Sequence, residues 1–424
     1  MKKTAREKTE GQGIPQVLLP LVGLLTMVKG QLYELVVSSG LSVLMALLEQ
    51  EREALCGPRY RHDPSRQASR AGHASGELTL GGRRVTVKRP RVRSRDGKEL
   101  ELPSWEQFAS EDPLNERVLE QILVGVATRK YDRSLEPLPS GVKGRGASKS
   151  AVSRRFVAET TKRLKEWAER SLAGLSIVAV MLDGIVIGEH TVLVALGMDE
   201  GGAKHILGFW EGATENAAAC NALLSNLVER GLDTSRTMLF IIDGSKALAK
   251  AIRSVMGKRA KIQRCQVHKK RNVLEHLPER RRQSIGEMME TAYRCSDPKR
   301  AMDMLKKIAR QLEQKHPSAA ASLREGLEET LTVKSFQLSE ELERILSTTN
   351  TIENLNSVIR HIQRNVKRWR DGQMVLRWVG AALQEAERGF RRIRGYKDMP
   401  KLVAALRAHD AQLVEPLEAE KKVA

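Results

Sequence analysis

Two stretches of similar pattern decide the fold: SIVAVMLDG at residues 176–184 and TMLFIIDG at residues 237–244. Each contains a nearly continuous apolar run followed at once by Asp-Gly, which predicts a buried β-strand that ends at the aspartate. If the strands are parallel neighbours, Asp183 and Asp243 converge at one edge of the sheet, where ligand sites lie. Two such carboxylates repel each other unless a cation lies between them. For either pair alone, an Asp-Gly turn is the simpler interpretation.

The elements around these two strands follow a defined order. Residues 189–198 and 203–210 are typical of two further strands, and residues 214–230 of a helix. After residue 242 the sequence predicts a helix at 246–256, a short strand at 261–264 and a helix from Gln266. Three meandering strands followed by α/β alternation is the order of an RNase H-like α/β core with a mixed sheet.

Residues 266–346 show only helical patterns, which is long for a connection and predicts an all-α insertion in the core. A last helix is predicted at 351–390, with a break near Asp371-Gly372. Positions 353, 357, 360, 364 and 368 share one helix face, because they are spaced by three or four. They are Glu353, Ser357, Arg360, Arg364 and Arg368. A third acid followed by a basic stripe suits a DNA backbone crossing a metal site, although a solvated basic face is an alternative.

Glu353 also has a structural alternative. Asn350 as N-cap with Glu353 three residues later resembles a capping box, although Ser or Thr is usual at the cap. The Arg residues along the rest of that helix face favour the metal-binding interpretation. Mg²⁺ prefers carboxylate oxygens, and two such ions about 4 Å apart promote phosphoryl transfer.

The N-terminal part is predicted to be helical and basic. Residues 16–55 have apolar residues at near-helical spacing, and Gly57-Pro58 ends the run. Residues 58–76 are rich in Arg, Ser and Gly and are predicted to be a mobile linker, whereas 77–92 alternate around Gly81-Gly82 as in a β-hairpin. Further helices are predicted at 116–131 and from Ser148, as N-cap, to about residue 171.

The charge balance points to a polyanionic partner. The 424 residues include 72 Lys and Arg against 52 Asp and Glu, a net charge of +20. Such an excess attracts nucleic acid or anionic membranes. The cations also cluster, and phosphate contacts are predicted for those on the hairpin, on the helix that Ser148 begins and on the Glu353 helix. These are Arg83, Arg84, Lys88, Arg89, Lys149, Arg154, Arg155, Arg360 and Arg364.

Cysteine usage and hydropathy indicate a cytoplasmic protein. The four cysteines, at 56, 220, 265 and 295, are scattered without disulfide-like spacing, which fits a reducing compartment. The apolar run at 17–28 is interrupted by Pro20 and Gly23 and is shorter than the ~20 residues that span a bilayer. We therefore expect neither export nor a membrane partner.

Several motifs resemble bacterial insertion-sequence transposases of the Mutator-like class, which are DDE enzymes with an RNase H-like fold. Leu182-Asp183-Gly184 and Ile242-Asp243-Gly244 are similar to the segments with the first two acids, and TTNTIENLN at 348–356 to the segment with the final Glu. QRCQVHKKRNVL at 263–274 resembles the Cys-x-x-His signature, with Gln266 where the family often has an aromatic residue. SKSAVSR at 148–154 resembles the helix-turn-helix region.

The resemblance implies a function for these residues. Asp183, Asp243 and Glu353 become the catalytic triad that binds Mg²⁺ or Mn²⁺. The enzyme cuts the ends of an element in double-stranded DNA and joins them to a target, without a covalent enzyme–DNA intermediate. Joining two ends implies a homodimer or larger assembly, in the bacterial cytoplasm at the nucleoid. The recognition helix is expected at residues 148–162.

Cys265 and His268 are placed beside the active site by the same resemblance. Alone they form half of a zinc site, but a full site needs four ligands and the remaining cysteines show no companion pair. A structural role, with His268 near a DNA phosphate, is the expectation.

The expected organisation has seven parts. They are 1–75, an N-terminal helical region and basic linker; 76–103, a basic β-hairpin; 104–172, a helix-turn-helix region; 173–264, the first part of the RNase H-like core; 265–346, the all-α insertion; 347–390, the core helix with the third acid; and 391–424, a basic C-terminal tail. Two alternatives to this function remain open: a structure-specific nuclease on the same fold, and a non-catalytic DNA-binding protein derived from a transposase. A strand-transfer assay distinguishes the first, and an intact triad argues against the second.

Overall fold

The chain folds into two units, each with its own β-sheet. The computed structural model describes residues 32–61, 66–80, 83–110, 114–135, 142–212 and 217–421. The first unit runs to Phe156, apart from 123–125, which belong to the second unit. The predicted mixed α/β class is confirmed, because one sheet is antiparallel and the other is mixed.

The first unit packs helices against an antiparallel hairpin. Its elements are α1 (Leu32–Cys56), β1 (Ala68–Leu80), β2 (Arg83–Ser94), β3 (Glu99–Leu100), α2 (Pro103–Ser110), α3 (Leu114–Leu123), β4 (Gly144–Arg145) and the start of α4 (Lys149–Glu169). Leu48, Val92 and Trp105 are part of its buried core. Helix α1 ends where predicted, because Gly57 adopts a φ of +75° and Pro58 follows.

The predicted linker at 58–76 is wrong from Ala68 onward, where β1 begins. Few apolar side chains mark this strand, with Ala68 and Leu78 in the core, so it owes its conformation to pairing with β2. The helix predicted at 116–131 ends at Leu123, before Gly125 with a φ of +102°. The predictions at 16–31 and Gly81-Gly82 lie outside the described residues.

The start of α4 agrees with the sequence, since the hydroxyl of Ser148 accepts a hydrogen bond from the Ala151 N–H at 3.2 Å. Between α3 and α4 lie two 3₁₀ turns, at Thr128–Lys130 and Asp132–Ser134, and β4. A helix-turn-helix needs two helices joined by a short turn. That motif therefore remains a prediction.

The second unit contains the strands that the two Asp-Gly motifs predict. Its first elements are β5 (Ile177–Ile187), β6 (His190–Asp199), β7 (Lys204–Gly212), α5 (Ala217–Glu229), β8 (Met238–Ile242), α6 (Lys246–Met256) and β9 (Ala260–Arg264). This confirms the predicted order of elements. The sheet order is β7-β6-β5-β8-β9, with β5 parallel to β8, β8 parallel to β9 and the other pairs antiparallel.

The side chains of β5 alternate between two faces of this sheet. Val180 and Leu182 share a core with α5 and α6, so Asp183 points to the opposite face. The prediction that this strand ends at Asp183 is wrong. Strand β5 continues to Ile187, because β6 pairs with it along this length.

Residues 266–346 form only helical elements, as predicted. They are α7 (Gln266–Glu275), α8 (Glu279–Arg294), α9 (Pro298–Glu313), α10 (Pro317–Arg324), two 3₁₀ helices (Glu328–Leu331 and Val333–Phe336) and α11 (Glu340–Leu346). Their core includes Ile285, Leu305 and Leu323. None of the helices in the described part of the chain has the length and apolar character needed to traverse a bilayer.

The predicted last helix is two helices, α12 (Asn350–Gln363) and α13 (Gly372–Arg388). The break is longer than predicted, and Asp371 begins α13 by accepting the Met374 N–H at 2.6 Å. Arg364 is therefore the C-cap of α12, and Arg368 lies beyond that helix, so the predicted stripe does not run to 368.

The region predicted as a basic tail contains α14 (Met399–Lys421). Leu402 and Leu406 are fully buried. Asp410 anchors the helix by accepting hydrogen bonds from the N–H and the hydroxyl of Thr237, just before β8.

Candidate active site

Asp183 and Asp243 occupy equivalent positions on neighbouring strands. The parallel ladder of β5 and β8 ends with Leu182 opposite Ile242, and each aspartate is the next residue. Because adjacent strands lie about 4.8 Å apart, the two aspartates are side by side on the face away from α5 and α6.

The backbone around Asp243 also orients its carboxylate. Gly244 has a φ of +119°, which favours glycine, and the Ser245 N–H donates to Oδ1 of Asp243 at 2.9 Å. An Asp-Gly turn therefore does form at Asp243. At Asp183 the strand continues, so the turn interpretation is wrong there.

Glu353 lies in the first turn of α12, which packs on the same face as Asp183. Its Oε1 accepts a hydrogen bond from the Thr349 hydroxyl at 2.6 Å. Thr349 is the N-cap residue, and Asn350 is already helical, so the capping box predicted from Asn350 is wrong. One turn along, Asn356 Nδ2 donates to Oδ2 of Asp183 at 2.7 Å. The structure therefore places the three predicted acids near enough for the charges of Asp243 and Glu353 to act on Asp183.

The electrostatics agree with this convergence. Burial, and then repulsion from the charges of Asp243 and Glu353, raise the pKa of Asp183 to about 6. Among the described Lys and Arg side chains, none forms an ion pair with any of the three acids. Nδ1 of His268 lies 3.7 Å from Oε1 of Glu353.

Cys265 and His268 connect the end of β9 to the Glu353 segment. The Cys265 N–H donates to the Ile242 carbonyl at 2.8 Å, and its Sγ accepts the N–H groups of His268 at 3.5 Å and Thr349 at 3.4 Å. Nδ1 of His268 lies 3.2 Å from the Thr349 hydroxyl. The pair thus holds Thr349, and through it Glu353, beside the end of β8.

Two pKa shifts follow from these contacts. Burial alone would raise the pKa of the Cys265 thiol, but hydrogen bonds from His268 and Thr349 outweigh it and lower that pKa. The hydrogen bond with Cys265 raises the pKa of His268 despite burial, and the Glu353 charge adds to the rise. Both shifts favour charged forms.

Thr349 and Asn356 are the contacts of the predicted acids that the sequence prediction did not single out. Both contact a predicted acid directly. The available signal was spacing, since Asn356 follows Glu353 by three residues and therefore lies on the same helix face.

The predicted DNA-binding cations differ in their surroundings. Three of the hairpin cations have protein partners: Arg83 donates to the Asp132 and Leu135 carbonyls, Arg84 pairs with Glu77, and Arg89 stacks on Trp105. The exposed cations are Arg84, Lys88, Lys149, Arg154, Arg360 and Arg364, whereas Arg83, Arg89 and Arg155 are partly buried. Arg83, Arg84 and Arg89 therefore have a structural role in addition to the predicted one.

Comparison with known proteins identifies the family of this chain. The profile of the family described as "Transposase, Mutator family" matches residues 28–392, and the chain belongs to that family.

Individual relatives are transposases of insertion sequences. The chain is 27% identical over 359 residues, 81% of its length and 88% of the relative's, to the transposase for insertion sequence element IS256 in transposon Tn4001 of Staphylococcus aureus. It is 28% identical over 372 residues, 85% of its length and 90% of the relative's, to the transposase for ISRM5 of Rhizobium meliloti. The transposase for IS1081 of Mycobacterium tuberculosis is 26% identical over 376 residues, 86% and 88% of the two chains.

Proposed function

We propose that this transposase is a DDE enzyme, in which Asp183, Asp243 and Glu353 bind Mg²⁺ or Mn²⁺ on an RNase H-like core. The observation that carries the proposal is the convergence of three carboxylates without a Lys or Arg partner among the described residues. The sheet order, three antiparallel strands followed by two parallel ones, supports the RNase H-like assignment.

The residues fit a hard divalent cation. Carboxylate oxygens are the ligands that Mg²⁺ prefers, and their mutual repulsion is relieved by a cation. Oδ1 of Asn356, which is buried, has no hydrogen-bond partner among the described residues and adds an oxygen beside Asp183. When bound, such ions neutralise charge on the reacting phosphate and assist the attacking and leaving oxygens.

The protein itself contributes the positions and orientations of the three carboxylates. Asn356 orients Asp183, the Ser245 N–H orients Asp243, and Thr349 orients Glu353. Three acids held on separate elements define where a phosphodiester must lie for in-line attack.

The proposed reaction has two steps. Water first hydrolyses one strand at the element end, so that one P–O bond forms, another breaks and a 3′-hydroxyl is released. That hydroxyl then attacks a phosphodiester of the target DNA, where again one P–O bond forms and one breaks. The proposed partner is double-stranded DNA, in the cytoplasm at the nucleoid. The active form is a dimer or larger, since two ends must be joined.

Asp243→Ala tests the assignment. Purified protein is incubated with duplexes that carry candidate element ends, with Mg²⁺, Mn²⁺ or EDTA, and nicked and joined products are separated. We expect Asp243→Ala to lower the cleavage rate by about three orders of magnitude or more, with binding of the ends retained in a gel-shift assay.

The control is Asp233→Ala. Asp233 is an exposed acid before β8, at the opposite edge of the sheet, so this variant should cleave like the wild type. Unchanged cleavage by Asp243→Ala would refute the residue assignment. Nicking without joined product would favour the structure-specific nuclease.

A further inference from the structure

Cys265, His268 and Glu353 form a second cluster of potential metal ligands. One ligand atom from each, the thiol sulfur, a ring nitrogen and a carboxylate oxygen, all lie within 4.8 Å of one another. Nδ1 of His268 and Oε1 of Glu353 are 3.7 Å apart. A nitrogen and an oxygen ligand on a tetrahedral zinc ion lie about 3.3 Å apart, so this pair needs a shift of only a few tenths of an ångström.

We propose that Cys265, His268 and Glu353 bind a thiophilic divalent cation of the Zn²⁺ class, at a site that shares Glu353 with the proposed Mg²⁺ site. Three protein ligands and one solvent molecule satisfy tetrahedral zinc. Sulfur and imidazole select zinc, whereas the carboxylates of Asp183 and Asp243 select magnesium. The two sites therefore differ in ion preference although they share one residue.

The sulfur is held in place by backbone groups from two directions. The N–H groups of His268 and Thr349 both donate to Sγ, and such bonds support a metal-bound thiolate. Cys265 is fully buried, whereas the Glu353 side chain is 41% exposed. A cation therefore reaches the cluster from the Glu353 side, the side that the DNA phosphate would occupy.

Sharing Glu353 has a consequence that rests on the proposed function. A carboxylate bound to zinc beside Cys265 is withdrawn from Asp183 and Asp243. Zn²⁺ therefore inhibits DNA cleavage by removing the third acid from the Mg²⁺ site. Ion binding itself does not depend on that function.

The binding test uses Co²⁺, which reports on sulfur ligands by its absorption spectrum. The full-length, metal-free chain is titrated with Co²⁺ without DNA. We expect a thiolate-to-cobalt charge-transfer band and strong tetrahedral d–d bands at one equivalent, which excess Mg²⁺ leaves in place and Zn²⁺ removes. Absence of the thiolate band in the folded wild-type chain at saturating Co²⁺ would overturn the proposal.

Variants identify the ligands. Cys265→Ser should abolish the band, whereas Cys295→Ser should keep it, because Cys295 is a partly exposed cysteine outside the cluster. His268→Gln should weaken Co²⁺ affinity at least tenfold, and it remains informative if circular dichroism shows that Cys265→Ser is unfolded. Retention of the band in folded Cys265→Ser, or unchanged affinity in His268→Gln, contradicts the assignment.

Asp243→Ala separates this proposal from the catalytic one. It should keep the cobalt band, since Asp243 is outside the cluster. For the wild type, the Zn²⁺ concentration that halves Mg²⁺-dependent cleavage should match the concentration that displaces half of the Co²⁺. A cobalt band without zinc inhibition would show that Glu353 is not shared, whereas absence of cleavage under all conditions would count against the proposed function alone.

Discussion

At the scale of single residues, the surroundings of Asp183 disfavour its charged form. Its pKa is raised from 3.8 to about 6 by burial and by its acidic neighbours. The folded chain therefore binds this proton more tightly than the unfolded chain does. As a result, the contribution of Asp183 to the free energy of unfolding falls as pH rises from about 4 to about 6.

Asp183→Asn should therefore stabilise the metal-free protein. At 1.36 kcal/mol per pKa unit, the gain above pH 6 is up to about 3 kcal/mol, and it disappears below pH 4. Thermal unfolding in EDTA between pH 4 and 8 measures this difference. The same variant should lose cleavage, so stability and activity change in opposite directions.

Asp199→Asn is the matched control with the opposite sign. Burial acts to raise the pKa of Asp199, but hydrogen bonds from His205 and from backbone N–H groups outweigh it and lower that pKa. Its stabilising contribution is present above the unfolded pKa and is lost as pH falls through the folded value. Asp199→Asn should therefore unfold at a lower temperature than the wild type at neutral pH. If both variants change the unfolding temperature at neutral pH in the same direction, the electrostatic explanation fails.

The three acids could be singled out from the sequence, but the residues that contact them could not. Asp183 and Asp243 each follow a strong apolar run, and this local pattern can be recognised from the sequence alone. Asn356 contacts Asp183 across 173 residues of sequence, and Thr349 binds Glu353 from a cap position that the sequence suggested for Asn350. Such contacts depend on how α12 docks on β5, which no local pattern specifies.

At the scale of elements, the segment between α12 and α13 presents cations at the active-site edge of the sheet. Lys367, Arg368 and Arg370 are exposed and form no ion pair with a described residue. Trp369 packs closely against Gly188 in the β5–β6 turn, which anchors the segment at that edge. This placement suits contact with the phosphates of DNA that flanks the cleaved position.

Replacing both Arg368 and Arg370 by Ala should weaken DNA binding at all sequences alike. Each lost phosphate contact reduces the slope of log affinity against log salt by about one, so the double variant should reduce it by about two. Fluorescence anisotropy with a labelled duplex at several salt concentrations measures the slope.

The control for this charge change is Arg236→Ala with Lys258→Ala. Both side chains are exposed and precede β8 and β9, at the edge of the sheet opposite the acids. This variant loses the same charge and should keep the wild-type slope. Equal slopes in the two double variants would mean that overall charge, and not the segment beside Trp369, governs binding.

At the scale of the whole molecule, sequence patterns predicted the second unit better than the first. Its strands carry contiguous apolar runs, and even α6 begins and ends at the predicted residues. Strand β1 has a Gly- and Ser-rich sequence and exists because β2 pairs with it, so local periodicity could not reveal it. The domain boundaries and the helix-turn-helix remain predictions.

Joining two element ends predicts cooperation between copies of the chain. If a homodimer needs both active sites, co-expression with equal amounts of Asp243→Ala should leave about one quarter of the strand-transfer activity, the fraction of wild-type dimers under random pairing. Independent monomers would retain about half. Co-expression with Asp233→Ala, which should be fully active, gives the reference.

The two ends of the helical insertion meet, because the Gln266 N–H donates to the Ser347 carbonyl at 3.0 Å. The polypeptide thus leaves the sheet beside the point where it returns. The insertion also contacts β9, because Gln263 donates to the Thr330 carbonyl and Arg264 to the Glu329 carboxylate. For engineering, the helices of the insertion that carry neither these contacts nor His268 are therefore where an added segment should disturb the predicted acids least.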